Sequence, residues 1–294
     1  MTRSVYPILT CHKTTSPSHE IDGHLVASLL QKTDEFIEAC SERDQEKLRS
    51  FVDENCAKRY LKACNLCLKS AENMLVNTLK WRLEYKPDEI GADEVAAELS
   101  QGMNYINGFD KAGRPVIYMR SRRQKSKDFH AQIRLMVFLF EKALKLTNAD
   151  SFVLLIDYVG YTRAHVHSMS QAREVLNIFN NHYPERLFRI YNVNPPWFFW
   201  TFFTLVSPFI SSVTKNKIHF IKFDASHMKS EIIDKPSCWN IGEEEKERIS
   251  KSAKPILDHI DESMLEDMYG GSFSFDFEPK TYLDSLCASL ESLK

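Results

Sequence analysis

Cys64 and Cys67 form a C-x-x-C, "CNLC", with Cys40 and Cys56 upstream. Four thiols in this order could hold zinc, and the close pair could cycle between dithiol and disulfide. No second C-x-x-C or histidine pair at ligand spacing follows, and no strand precedes the motif as in a thioredoxin-like unit. Both cysteines fall on a helical pattern, where cysteine serves as a small apolar residue. His165 and His167 lie near Asp157 in the chain, and an aspartate closing a strand could act as a base. The intervening "RAHVHSMS" reads instead as a polar loop before a helix, with Asp157 capping the next turn. No G-x-S-x-G elbow, phosphate-binding loop or G-x-G-x-x-G occurs. The basic run Arg120, Arg122, Arg123, Lys125 and Lys127 has two readings. One is a solvated loop; the other is a contact with an anionic membrane, at about 1 kcal/mol for each basic residue. These residues set up no covalent catalysis, so an enzyme is not expected.

Composition narrows the classes further. The chain has 294 residues, 43% of them hydrophobic, enough for one large domain or a domain with a smaller companion. Thirty-eight basic against forty acidic residues leave a net charge of −2, which argues against a general nucleic-acid binder. "MTRSVYPILTCHKTTS" lacks the apolar run of a signal peptide. With no such signal, seven cysteines imply reduced thiols and a cytosolic setting.

Helical periodicity dominates residues 21–90. "HLVASLLQKTDEFIEAC" repeats apolar residues at helical spacing, and "AENMLVNTLKWRLEYKPDEI" does so before stopping at Pro87. "DENCAKRYLKACNLCLKSAEN" between them reads as a short helix and a turn. After Gly102 the pattern changes. "MNYINGFDKAGRPVIYMRS" predicts strand, turn, strand. "HAQIRLMVFLFEKALKL" predicts an apolar helix, and "FVLLIDYVG" a buried strand. "MSQAREVLNIFNNHYPER" reads as helix, "LFRIYNVN" as strand, "KIHFIKF" as strand and "YLDSLCASLESL" as a terminal amphipathic helix. Strands alternating with helices imply an α/β fold with a largely parallel sheet.

The segment "NPPWFFWTFFTLVSPFISSVTKNK" stands apart. No charge occurs between Arg189 and Lys215, and four aromatic rings occupy Trp197–Trp200. Pro195 and Pro196 open the segment and Pro208 interrupts it. Its continuous apolar part covers about three helical turns, too short to span a bilayer. A buried core helix and a movable helix at a lipid site or membrane interface both remain.

"GFDKAGRPVIYM", "FVLLIDYVGY", "NNHYPERLFRIYNVNPPWFFWTFF", "SPFISSVTKNKI" and "MYGG" together resemble the CRAL-TRIO lipid-binding family in its yeast phosphatidylinositol transfer branch. "RQKSKDFHAQIRLMVFLFEKAL" and "NPPWFFWTF" are most similar to the fungal transfer proteins linked to pleiotropic drug resistance. The resemblance covers about residues 45–275. It implies a helical N-terminal subdomain and a mostly parallel sheet flooring an apolar pocket, closed by a gate helix. The corresponding division is 1–20 as an extension, 21–95 as the helical subdomain, 96–275 as the lipid-binding domain and 276–294 as a tail helix. The gate residues are Trp197, Phe198, Trp200, Phe202 and Phe203. Family positions for the lipid phosphate fall on Thr214 and Lys217, with Glu185 as the acidic partner of the lysine. Two basic headgroup positions of the family are here Cys64 and Asn65, which implies weaker phosphatidylinositol binding.

The resemblance further implies a cytosolic, monomeric carrier that presents or transfers phosphatidylinositol together with a second lipid, sterol or phosphatidylcholine. It would touch membranes transiently, at the endoplasmic reticulum or lipid droplets, and need no cofactor beyond bound lipid. The alternatives are a sterol-dominated carrier and a scaffold recruiting a small GTPase or a lipid kinase.

Overall fold

The computed structural model describes residues 3–11, 21–147, 149–223 and 255–292. They fall into two compact units. One comprises the described parts of Met1–Thr15, Ile90–Ala172 and Leu187–Lys294; the other comprises those of Ser16–Glu89 together with Arg173–Arg186.

The second unit is helical: α1 (Gly23–Glu38), α2 (Glu42–Phe51), α3 (Glu54–Ala63) and α4 (Leu68–Tyr85). Three of the four begin at a residue whose side chain replaces a missing helical hydrogen bond. Asp22, Ser41 and Asp53 accept from the backbone N–H of His24, Asp44 and Cys56, each cap worth about 1 kcal/mol. Leu29, Ile37, Tyr60, Leu61, Leu75 and Leu79 form its core. The short helix α3 and the turn after it follow the sequence expectation. Cys64 and Cys67 do not continue a helix, however. They close α3 and open α4 around Asn65 and Leu66, whose φ angles of 50° and 62° are left-handed. The unit also takes the part of α7 (Met169–His182) from Arg173 onward.

The first unit holds a five-stranded sheet in the order β1 (Asn104–Phe109), β2 (Pro115–Arg120), β3 (Phe152–Asp157), β4 (Leu187–Val193) and β5 (Ile218–Ile221). Only the hairpin β1–β2 is antiparallel; β2–β3, β3–β4 and β4–β5 are parallel. The hairpin turn is held by Asp110, whose carboxylate accepts from the N–H of Ala112 (2.9 Å) and Arg114 (2.8 Å). Parallel neighbours need crossovers. α6 (Phe129–Thr147) joins β2 to β3, α7 joins β3 to β4, and α8 (Trp197–Val206) with the short α9 (Ser212–Lys215) joins β4 to β5. α5 (Ala92–Leu99) and the terminal α10 (Pro279–Glu291) pack on α6. Leu135, Val137, Leu139 and Ala143 of α6 are fully buried. They form part of the core.

The segment 262–277 returns along β1 through close backbone approach. A Cβ on Gly108 (φ 70°) would meet the Met264 carbonyl oxygen at 2.1 Å. A Cβ on Gly271, of "MYGG", would meet that of Leu265 at 1.8 Å. Only glycine fits where backbones pass this closely.

Candidate functional site

The two faces of the sheet differ in a way that points to a site. Parallel register aligns Met119 with Ile156, Ile156 with Asn192, Ile190 with Ile218, and Asn192 with Phe220. These residues share one face. Met119, Ile156, Ile190 and Ile218 are half-buried there and Phe220 is 39% exposed. On the opposite face Val153, Leu155, Asp157, Tyr191 and Val193 have no exposure at all. A one-sided sheet normally turns apolar residues inward and polar ones outward. Here the accessible residues of the first face are apolar, alongside the buried Leu154 and Asn192.

Helix α8 lies at the Phe220 edge of that face. Trp200 and Phe203 meet the Phe220 ring at 4.6 and 5.5 Å between centroids. Phe199, 7% exposed, seats the helix against Tyr158 at 4.8 Å. Phe198 stacks on Tyr161 at 6.0 Å, and the Arg163 guanidinium lies 5.2 Å from the Trp197 ring. Phe202 and Phe203 are half-buried. The outward side stays apolar: Trp197 is 71% exposed, Trp200 44% and Leu205 57%, continued by Phe209 and Val213. Proline bounds the helix, with Pro196 as its N-cap and Pro208 in the turn after it. Exposed apolar groups gathered on one short helix mark an interaction surface. Phe199 and Phe220 were not among the sequence candidates. The signal for Phe199 was its place inside the same aromatic run, whereas Phe220 needed the strand register.

Thr214, Lys217 and Glu185, which the resemblance assigns to the lipid phosphate, sit in separate local frames. Ser211 caps α9, accepting from the Thr214 N–H at 3.1 Å and donating its hydroxyl to Thr214 Oγ1 at 2.9 Å. The Lys217 N–H donates to the Thr214 carbonyl at 3.0 Å, and the Lys217 carbonyl accepts from Ile190 N–H at 2.8 Å. One turn thus holds both residues and is anchored to β4. Glu185 belongs to the helical unit, in a left-handed conformation (φ 58°), and its carboxylate lies 3.2 Å from Lys62 Nζ. Lys62 is a basic residue of α3 shortly before Cys64 and Asn65; nothing local in the sequence tied it to Glu185. His182, preceding that segment, stacks on Trp81 at 4.2 Å with Nδ1 3.1 Å from Thr78 Oγ1. Burial, reinforced by Arg82, pushes its pKa down to about 4.

Two residues of the basic run depart from both readings offered by the sequence, while Lys125 and Lys127 are exposed as a solvated loop would have them. Arg120 is 2% exposed and ion-paired with Glu266, and Arg122 pairs with the buried Asp157. Tyr105 Oη (3.0 Å) and Asn107 Nδ2 (2.9 Å) also donate to Glu266, and Tyr269 Oη donates to Asp157 at 3.0 Å. Burial pushes the Glu266 carboxyl above the usual carboxylate range, against the pull of Arg120. The carboxylates consume these two arginines inside the closed side of the sheet, so they are neither solvated nor free for a membrane. Asp157 also accepts from Val159 N–H at 2.9 Å, the capping role expected of it. His165 Nδ1 accepts from Thr162 N–H at 2.9 Å, closing its own turn. Among the described residues no three side chains group as metal ligands, and no helix is long and apolar enough to cross a membrane.

The family model of the CRAL/TRIO domain matches residues 99–236, a span that includes all five strands and the aromatic helix. The chain carries a CRAL/TRIO domain. The resemblance read from its motifs therefore holds, and a phosphatidylinositol transfer protein is among the relatives that the chain matches. A CRAL-TRIO domain-containing protein of Schizosaccharomyces pombe is 31% identical over 246 residues, covering 82% of this chain and 21% of the relative. Phosphatidylinositol transfer protein PDR17 of Saccharomyces cerevisiae is 28% identical over 258 residues, covering 83% of this chain and 65% of the relative. The chain thus spans about a fifth of the first relative's length and less than two thirds of the second's. The crystal structure of Sfh5 shares the fold, with a TM-score of 0.53 at 22% identity, covering 72% of this chain and 85% of that one.

Proposed function

We propose that this CRAL/TRIO protein carries phosphatidylinositol and a second lipid against the accessible sheet face, and exchanges them at membrane surfaces through movement of α8. The observation that carries the reading is the accessible apolar face of Met119, Ile156, Ile190, Ile218 and Phe220, with an aromatic helix at its edge. Two acyl chains expose roughly thirty methylenes at about 0.8 kcal/mol each, so moving one bare lipid through water costs on the order of 20 kcal/mol. A carrier offsets that cost by keeping an equally apolar surface for the chains. Seated, α8 keeps Phe199 and Phe203 against the sheet side; displaced, the same rings suit the membrane interface. Thr214 supplies a hydroxyl and Lys217 an ammonium for a phosphodiester. The reading involves no covalent step and no cofactor beyond the lipid. It places a monomer in the cytoplasm, peripheral to membranes of the endoplasmic reticulum or to lipid droplets.

A sterol as the dominant ligand is the second reading, favoured by one feature. Cys64 and Asn65 bring no charge to positions that are basic in the family's phosphatidylinositol binders. Mass spectrometry of lipid extracted from purified protein, paired with phosphatidylinositol transfer between vesicles, tests both readings. Bound phosphatidylinositol with transfer supports the first, and bound sterol without phosphatidylinositol transfer supports the second. A protein that purifies without lipid and transfers none is a scaffold, and the carrier reading fails.

A further inference from the structure

The turn between α3 and α4 holds a motif that lipid carriage leaves unused. Cys64 is the last residue of the α3 cap and Cys67 the N-cap of α4, and the Cys67 N–H donates to the Cys64 carbonyl at 3.0 Å. A four-residue turn closed in this way keeps its outer Cα atoms within about 7 Å, and a disulfide spans about 4.4–6.8 Å. Asn65 and Leu66 already have the left-handed angles that fold the chain back. Closing the bond therefore asks for side-chain rotation more than backbone rearrangement.

The two thiols occupy unlike settings. Cys67 is exposed and its sulfur accepts a hydrogen bond from Ser70 Oγ at 3.3 Å. It stands at the start of an 18-residue helix, where the unpaired N–H groups and the helix dipole favour a negative charge. The Ser70 hydroxyl, followed by the backbone N–H of the same residue, holds this thiol below its ordinary range. Cys64 is half-buried, 3.6 Å from Met74 Sδ and packed against the helical core. Burial raises its thiol, and a negative charge on Cys67 raises it further, so the Cys64 sulfur lies in the field of Cys67.

We propose that Cys67 is a nucleophilic thiol and Cys64 its resolving partner, forming a reversible Cys64–Cys67 disulfide with low-molecular-weight disulfides as oxidant. The Cys67 thiolate attacks one sulfur of the disulfide; a mixed disulfide forms, the original sulfur–sulfur bond breaks and one thiolate leaves. Cys64 then gives its proton to water and attacks the Cys67 sulfur, and the second thiolate leaves. Two cysteine thiols are oxidised and one external disulfide is reduced to two thiols. The exposed, stabilised thiolate suits the first attack, and the sheltered thiol three residues away suits the second. The inference stands on the turn alone and is independent of which lipid is carried.

The test treats the reduced full chain with excess oxidised glutathione at neutral pH and maps its peptides by mass spectrometry. The expected product is an intramolecular Cys64–Cys67 link that dithiothreitol reverses. Cys64→Ser should stop at a glutathione adduct on Cys67, and Cys67→Ser should leave Cys64 unmodified over the same time. In the Cys64→Ser background, Ser70→Ala should shift the pH midpoint of Cys67 alkylation upward, a readout that a purely structural serine would not move. Circular dichroism checks that the variants are folded. A wild-type turn that stays reduced, an adduct that forms first on Cys64, or an unshifted Ser70→Ala profile overturns the proposal.

Discussion

Replacing Trp197 and Trp200 together with alanine separates membrane contact from folding. An aromatic side chain offers roughly 200 Å². At 71% and 44% exposure the two rings leave about 230 Å² facing outward. Full transfer of that area to an apolar phase is worth about 6 kcal/mol at 25 cal/mol per Å². Rings at a membrane interface leave water only in part, so roughly half of this, about 3 kcal/mol, is available. The double variant should thus bind vesicles about a hundredfold more weakly. Its stability should change far less, because Trp197 is mostly solvated and Trp200 loses chiefly its contact with Phe220 at 4.6 Å. That contact is worth about 1 kcal/mol, a few degrees at most in a protein of this size. Flotation with phosphatidylinositol-containing vesicles, lipid-transfer rates and thermal melts supply the measurements. Vesicle affinity and transfer near the wild-type value, alongside a large fall in melting temperature, would refute the reasoning and make α8 an ordinary core helix.

Thr214→Ala with Lys217→Ala should reduce phosphatidylinositol affinity about ten- to a hundredfold, since a charged hydrogen bond contributes roughly 1.5–3 kcal/mol; unchanged transfer by the folded variant would remove both residues from the headgroup site. Glu266→Gln should destabilise the sheet unit by about 3 kcal/mol or more, because it strands Arg120 where the pair is buried, and urea unfolding reads this directly. His182 has a folded pKa near 4 against an ordinary 6.5, so the unfolded chain binds a proton that the native state refuses. Its contribution is therefore present above pH 6.5 and lost as pH falls from there toward 4, by about 1 kcal/mol at pH 5 after allowance for solvent screening. Urea titrations at pH 7 and 5 should show that slope in the wild type and a flatter one in His182→Phe.

The elements most legible in the sequence are those whose partners are local. "GFDKAG" carries its own turn chemistry in Asp110, and the unbroken apolar run at 152–156 reads as a buried strand. α2 escaped notice because, of its ten residues, only Leu48 is buried, leaving no periodic stripe. The C-x-x-C looked helical because apolar residues flank it on both sides, whereas the chain breaks there with two left-handed residues. Arg120 and Arg122 read as surface because their carboxylates come from elsewhere: Glu266 lies 146 residues away in the chain, and Asp157 is 35 away. For the site, the aromatic run announced a special helix. Which ring would seat it depended on β5, whose Phe220 enters only through strand register.

The opposite demands on the two faces of the sheet set different tolerances for sequence change. Neighbouring residues of β3 and β4 answer to different constraints, since alternate side chains point to opposite faces. Residues 153, 155 and 157 must preserve volume and charge pairing, because they sit against a filled, ion-paired layer. Ile156 and Ile190 need only remain apolar, and a change of shape there alters what fits against them. On the proposed carrier reading, drift at these positions changes cargo without unfolding the protein. A saturation library over 152–157 and 187–193 should accordingly tolerate apolar exchange at 156 and 190 and resist change at 153, 155, 157, 191 and 193, so that new ligand preferences arise by single steps within an intact frame.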